Sequence, residues 1–412
     1  MTDTLIEVGR SMDISPVFQN RRKKMGMSDR IDPFYEIEWL DALATKWSSI
    51  SVARISYGID ELGTVSPSKD MVFSPIESVD SKVYTPIGIR CVASLVQFHQ
   101  LTTYQLACLI DVRPLDINNA MKDLYAYGVV ENASPTWMKR EIYGRTNGGS
   151  GFVWRLSNSI ERLEKWMRKL TDLESKLVSQ GRDIAVGTNS SRSGSSIRHN
   201  LAASELILRA MESCPSVIGA WGETATRGSL FVEESIRKRS NIRDNIGDAA
   251  IVTKDGGIII LETSGASNLD DKGGDKIRDK ATAWATIAAL SEQDIKVVFV
   301  NINSSARMNR FEWRVIQGLD AIGKNITNTA LQKKGVNSIF TANAYDWFPM
   351  PMTVSGGFST LQSFSPSRKK YFELAPLDIR FNVESDALIN TIAALHVPPW
   401  VFKRVTSSLG AS

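Results

Sequence analysis

Cysteine and histidine are scarce in this 412-residue chain, three of each, and neither forms a ligand pattern. Cys91, Cys108 and Cys214 stand apart among apolar neighbours with no CxxC pair, which excludes a disulfide framework and reads as buried thiols of a reducing compartment. His99, His199 and His396 are equally dispersed, so no Cys/His zinc site can be argued. No apolar run approaches the ~20 residues needed to span a bilayer, and "MTDTLIEVGRSMD" lacks the charged-then-apolar order of a secretion signal. The expectation is a cytoplasmic protein with no membrane partner. Strong charge imbalance is missing too: the net charge is +4, with 23% charged and 42% hydrophobic residues. That composition excludes wholesale disorder and leaves any nucleic-acid binding to local gatherings of Lys and Arg. The length exceeds what one hydrophobic core organises, so several domains are expected.

What is present falls into five stretches. Residues 1–82 read as a basic arm, "QNRRKK", followed by a short aromatic helix in "FYEIEWLDALATKW". From Val83 the pattern sharpens. "TPIGIRCVASLVQFHQ" and "LTTYQLACLID" carry apolar residues at helical spacing, the second behind threonines suited to capping. "VRPLDINNAMKDLYAYGVVE" starts behind a proline, repeats Ile117, Met121 and Leu124, and stops at Gly128. "WMKREIYGRTNGGSGFVWRLS" then reads as two strands around a Gly-rich turn. Three helices and a basic hairpin over 83–157 make a winged helix-turn-helix. Such a module binds double-stranded DNA with its third helix in the major groove, through Asn118, Asn119 and Lys122, while Lys139, Arg140 and Arg145 of the hairpin track the backbone. Docking of a protein by the same module is the plain alternative.

Over 158–190, "SIERLEKWMRKLTDLESKLVSQG" spaces its apolar residues as one long amphipathic helix across 159–180. That helix could pair with a second copy in a homodimer or pack on its own domain. The Ser-rich "GTNSSRSGSS" after it marks a domain boundary near residue 190.

Residues 191–315 change the order of elements. "RHNLAASELILRAMES" reads as a helix, "SVIGAWGE", "DAAIVT" and "GGIIILETS" as strands, "DKIRDKATAWATIAALSE" as a helix and "IKVVFVNIN" as a buried parallel strand. This αβββαβ order carries Asp248 on its second strand and Glu262 near the end of its third. It resembles the core of the PD-(D/E)XK, or restriction-endonuclease-like, nucleases. The resemblance implies that Asp248 and Glu262 hold Mg2+, with Glu205 of the preceding helix as a third carboxylate, and that a lysine two residues after the second acid assists. At that position this chain has Ser264. Lys276 and Lys280 on the following helix are the candidates to replace the lysine, against a plain reading in which both face solvent.

The combination of winged helix and nuclease-like core is similar to the replication-relaxation family of plasmids and integrative elements. "RHNLAASELILRAM" and "GDAAIVTKDGGIIILETSG" carry the similarity, and Thr263 and Ser264 depart from the acid and arginine that members have after the Glu. The resemblance implies an α/β multidomain protein of a mobile element, acting on DNA in replication or transfer with an impaired catalytic site. An active Mg2+-dependent endonuclease and a winged-helix transcription regulator are the alternatives. Residues 316–412, with "NAYDWFPMPM" and "VPPWVF", read as an extension packed on the α/β domain.

Overall fold

A computed structural model describes residues 47–48, 83–133, 153–179, 194–239 and 247–343, apart from short breaks at 111, 158–159, 214–216, 224–225, 254–256, 265–270 and 303–307. Lys139, Arg140 and Arg145 lie outside the described residues, as do the "QNRRKK" arm and 344–412. The described residues up to Ser204 belong to one compact unit and the described residues from Glu205 to another. The chain is mixed α/β in both.

The first unit comprises β1 (Trp47–Ser48), α1 (Pro86–Phe98), β2 (Gln100–Thr102), α2 (Thr103–Ile110), α3 (Pro114–Tyr127), β3 (Val130–Ala133), β4 (Val153–Leu156), α4 (Ile160–Met167) and α5 (Asp172–Ser179). Helix boundaries follow local chemistry. The Thr85 hydroxyl accepts the Gly88 N–H at 3.1 Å and Pro86 fills the first turn of α1. Thr102 and Gln105 close a reciprocal capping box at the start of α2, with bonds of 3.0 and 3.1 Å. Gly128 ends α3 at φ 88°, left-handed backbone that a side chain would strain.

The strands form one antiparallel sheet in the order β1-β3-β4-β2. Glu131 lies opposite Arg155 across β3 and β4, and the two make a buried ion pair at 2.7 Å. β4 covers the end of the second strand expected from the sequence and pairs with β3; the stretch "REIYG" and the Gly-rich turn lie outside the described residues.

The single amphipathic helix over 159–180 is two helices. Thr171 and Glu174 form a second capping box: the Thr171 N–H donates to Glu174 at 2.9 Å and the Glu174 N–H returns to the Thr171 hydroxyl at 3.3 Å. That exchange starts a new helix where apolar spacing alone would run on. Its apolar face is occupied inside its own unit. Trp166 is fully buried, stacks on Tyr84 with ring centroids 5.9 Å apart and donates to the Val83 carbonyl.

The second unit follows α6 (Gly194–Ser213), inside which the division between units falls. Its elements are β5 (Val217–Gly222), α7 (Glu234–Arg239), β6 (Ala249–Thr253), β7 (Ile258–Ser264), α8 (Asp271–Leu290), β8 (Ile295–Asn301), α9 (Met308–Asp320), α10 (Thr329–Asn337) and β9 (Ile339–Asn343). The five strands lie in sequence order, antiparallel from β5 to β7 and parallel from β7 to β9. Three strands, a helix and a parallel fourth strand are what the sequence implies. The fifth strand is not: α9, α10 and β9 carry the fold on to Asn343, well past residue 315. β7 is buried along its whole length, as a strand covered on both faces must be. Trp284, Ala281 and Ile277 of α8 pack with Ile258, Ile260, Val297 and Phe299 in one apolar cluster. Among the described residues no helix is long and apolar enough to cross a membrane.

The capping box at Thr171 yields a direct test. Thr171→Ala removes a cap and should lower the unfolding free energy by about 1 kcal/mol, read as a shift of the urea midpoint. A continuous helix would instead gain stability from the better helix former.

Candidate acid and lysine cluster at the end of the central strands

Asp248 stands one step before β6. Ala249 pairs with Leu261, and the Asp248 N–H donates to the same Leu261 carbonyl at 3.0 Å, which sets Asp248 beside the last residues of β7. The Asp248 charge acts on Glu262 from there. β7 runs further than β6. The Asp248 carboxylate stands in for the missing strand, with its Oδ2 accepting the Thr263 N–H at 2.5 Å and the Thr263 hydroxyl at 2.9 Å.

The approach to Asp248 is fixed from β5. Thr226 is fully buried; its hydroxyl donates to the Gly247 carbonyl, and its own carbonyl accepts the Gly247 N–H at 2.9 Å. A Cβ at position 247 would run into Ile260, which explains glycine at this position.

Glu262 is 2% exposed and both of its oxygens are engaged. Lys280 Nζ donates to Oε2, and the Trp284 indole N–H donates to Oε1 at 2.5 Å. Lys280 and Trp284 are four residues apart and therefore share the face of α8 that lies on the sheet. Two residues beyond Glu262 on the same strand face is Ser264, 4% exposed, whose hydroxyl has no hydrogen-bond partner among the described residues. A lysine thus comes in from the helix while the expected strand position holds a short side chain. The plain reading of Lys280 as a solvent-facing residue is corrected: its stem crosses the edge of α8 to reach the acid, with 39% of the side chain exposed. Lys276 does face solvent, one turn away on the same helix.

Burial pushes the Glu262 carboxyl up to about 7, against the pull of Lys280, and the nearby Asp248 charge adds to the rise. Burial also works against the Lys280 ammonium, but Glu262, Asp248 and Glu223 outweigh it and hold the group above the ordinary lysine range. Glu223, just after β5, therefore belongs to the electrostatics of this site. Nothing in the sequence pattern marks it except its place at a strand end. Trp284 and Thr226 were equally unmarked, although the spacing of Trp284 from Lys280 is visible in "KATAW".

Glu205 is buried on α6. Among the described residues no three Asp, Glu, His or Cys side chains come together as a metal-holding group, so Glu205 is not joined to Asp248 and Glu262. The donor set also fits Mg2+ poorly. A hard cation needs open carboxylate oxygens, whereas Glu262 already carries an ammonium on one oxygen and an indole N–H on the other, and Asp248 Oδ2 accepts two bonds from Thr263.

On α3, Asn119 is exposed, and Asn118 and Lys122 are half-buried. Asn118 helps to anchor the helix, since its Oδ1 accepts the Thr103 hydroxyl at 3.3 Å, and Thr103 in turn accepts the Trp154 indole N–H at 3.0 Å. Arg113 and Asp116 pair at 2.9 Å at the start of the helix, beside an exposed Leu115.

No protein-family model, curated protein or solved structure matches the chain.

Two substitutions separate the parts of the cluster. Lys280→Met strands a buried carboxylate and should lower stability by about 3 kcal/mol, the low end for breaking a buried pair, because Lys280 keeps some solvent. A carboxyl held above its ordinary 4.5 binds its proton more tightly in the folded state, so Glu262 lowers stability as pH rises from 4.5 through about 7. Glu262→Gln should flatten that part of the stability profile in urea titrations across pH; an unchanged slope would locate the titration elsewhere.

Proposed function

We propose that this chain is a DNA-binding protein that engages duplex DNA through a winged helix-turn-helix at 83–157 and uses a nuclease-type α/β unit to hold DNA without cutting it. The observation that carries the DNA-binding part is the element order α1-β2-α2-α3-β3-β4, in which β2 pairs with β4 and α3 turns Asn119 outward. This order fits a winged helix whose third helix reads the major groove. Asn119 and Lys122 are the residues that would meet bases, with Asn118 reduced to supporting α3. Lys139, Arg140 and Arg145 remain the proposed backbone contacts. A role in the replication or transfer of a mobile element is what the family resemblance adds.

Holding rather than cutting is supported by the state of the acids. Glu262 is buried and neutralised by Lys280, which makes the cluster an ion-pair lock between sheet and helix. A second reading, an endonuclease, is favoured by the same lysine, since it delivers positive charge to the place where Ser264 cannot. It requires Lys280 to leave Glu262. Within 159–180, Leu163, Trp166 and Val178 are buried in the unit, so a homodimer through this stretch would have to use other side chains.

Incubation with supercoiled plasmid and Mg2+ should leave the plasmid intact, while gel shifts detect complexes with duplex DNA. Nicking that disappears in Asp248→Ala would replace the holding reading by the nuclease. Asn119→Ala and Lys122→Ala should each reduce preference among duplex sequences. Identical duplex binding by the wild type and both variants would turn the module into a protein-docking one.

A further inference from the structure

Two large apolar side chains are exposed among the described residues, Leu115 and Trp313, and the second is set in a basic frame. α9 turns Phe311, Val315 and Leu319 into the core and ties Glu312 to Thr341, whose hydroxyl donates to it at 3.4 Å. Those contacts fix the helix about its axis. The outward side then carries Arg310, Trp313, Arg314 and Gln317, at the three- and four-residue spacing of a single helix face. Trp313 is 42% exposed, and the Arg314 guanidinium carbon lies 5.0 Å from its ring centroid. Arg314 is itself held in place. Its side chain lies against the Gly274 backbone of α8, where a Cβ would collide with it, and its Nη1 donates to Gln317 at 3.3 Å. Arg310 is exposed one turn before.

We propose that this face of α9 binds unpaired DNA, with a base stacked on Trp313 and the adjoining phosphates drawn by Arg310 and Arg314. The proposal rests on the reading of the chain as a DNA-binding protein and assigns a contact to its α/β unit. An indole flanked by a cation presents a flat ring beside a positive charge, which match the two components of a nucleotide, a flat ring and an anion. Unpaired rather than duplex DNA is indicated because paired bases are already stacked on each other and present only their edges. The clamp of Arg314 between Gly274 and Gln317 prearranges the site, so little side-chain freedom is lost on binding.

The test uses the full chain and fluorescence anisotropy with labelled oligothymidine and, separately, a labelled duplex. Trp313→Ala should weaken oligothymidine binding roughly ten-fold, and Trp313→Phe should restore most of it. Arg310→Ala with Arg314→Ala should flatten the dependence of log K on log salt by about 0.7 for each arginine. Equal oligothymidine affinity in wild type and Trp313→Ala overturns the site. So does a Trp313→Ala protein that changes from dimer to monomer in sedimentation with unchanged affinity, since the face would then belong to a second copy. A wild type that binds the duplex and not oligothymidine also overturns it, and leaves the winged-helix reading standing. Trp313-dependent binding of oligothymidine without duplex binding supports the site and removes the winged-helix reading instead.

Discussion

The second unit is organised around a buried carboxylate placed at the end of an apolar run of strand residues. Glu262 lies on the middle strand of a five-stranded sheet, and an isolated ionised carboxylate there would be prohibitively unfavourable. Its two partners both come from α8, Lys280 and Trp284, so satisfying the acid also fixes how far along the sheet the helix sits. The constraint spreads outward from that point. Asp248 caps the free N–H of Thr263 past the end of β6, and Thr226 holds Gly247 in front of Asp248, so the loop after β5 is tied through two strands to the helix. α9 takes its position from α8 in turn: the Thr282 hydroxyl donates to the Gly318 carbonyl at 2.7 Å.

On the proposed nuclease-type reading, this arrangement would separate two properties that such a core joins. The acids and a lysine are together in space, but the lysine is bonded to the acid it would have to release. A lysine two residues along the strand has its length constrained by the sheet and can point at a substrate beside the acid. One arriving from a helix one layer away extends across the gap and ends on the nearest anion, which here is Glu262. The electrostatics favour that ending, since three carboxylates act on Lys280. On that reading, charge compensation inside the fold would compete with charge compensation of a bound phosphate.

Local signals made much of this fold legible. Thr85 with Pro86, and Pro114 with Gly128, bound α1 and α3 because caps and stops act within one turn. The hairpin of β6 and β7 and the parallel β8 follow from apolar runs of strand length. What escaped was set either by very short elements or by distant contacts. β2 has three residues, too few for any period to register, and its last residue already serves as the cap of α2. The break between α4 and α5 is written in Thr171 and Glu174, but apolar spacing continues across it and masks the signal. β9 lies in a stretch read as packing cover because its pairing partner, β8, is separated from it by two helices. The contact of Lys280 with Glu262 depends on the distance between two layers and the reach of a side chain, which no spacing rule contains.

Charge on α3 narrows how the first unit could meet DNA. Arg113 is paired with Asp116 at the start of the helix, and Lys122 is followed at once by Asp123, so this element offers almost no net attraction to phosphates. Base contacts direct a protein to a sequence, yet counterion release by Lys and Arg supplies most of the affinity. A helix with this balance reads DNA only if other parts of the chain draw the backbone in. Lys139, Arg140 and Arg145 of the wing supply that attraction in the duplex reading, and Arg310 and Arg314 supply it for unpaired strands. On the two proposals, the surfaces would divide recognition by the state of the DNA, edges of paired bases for α3 and the face of an unpaired base for Trp313.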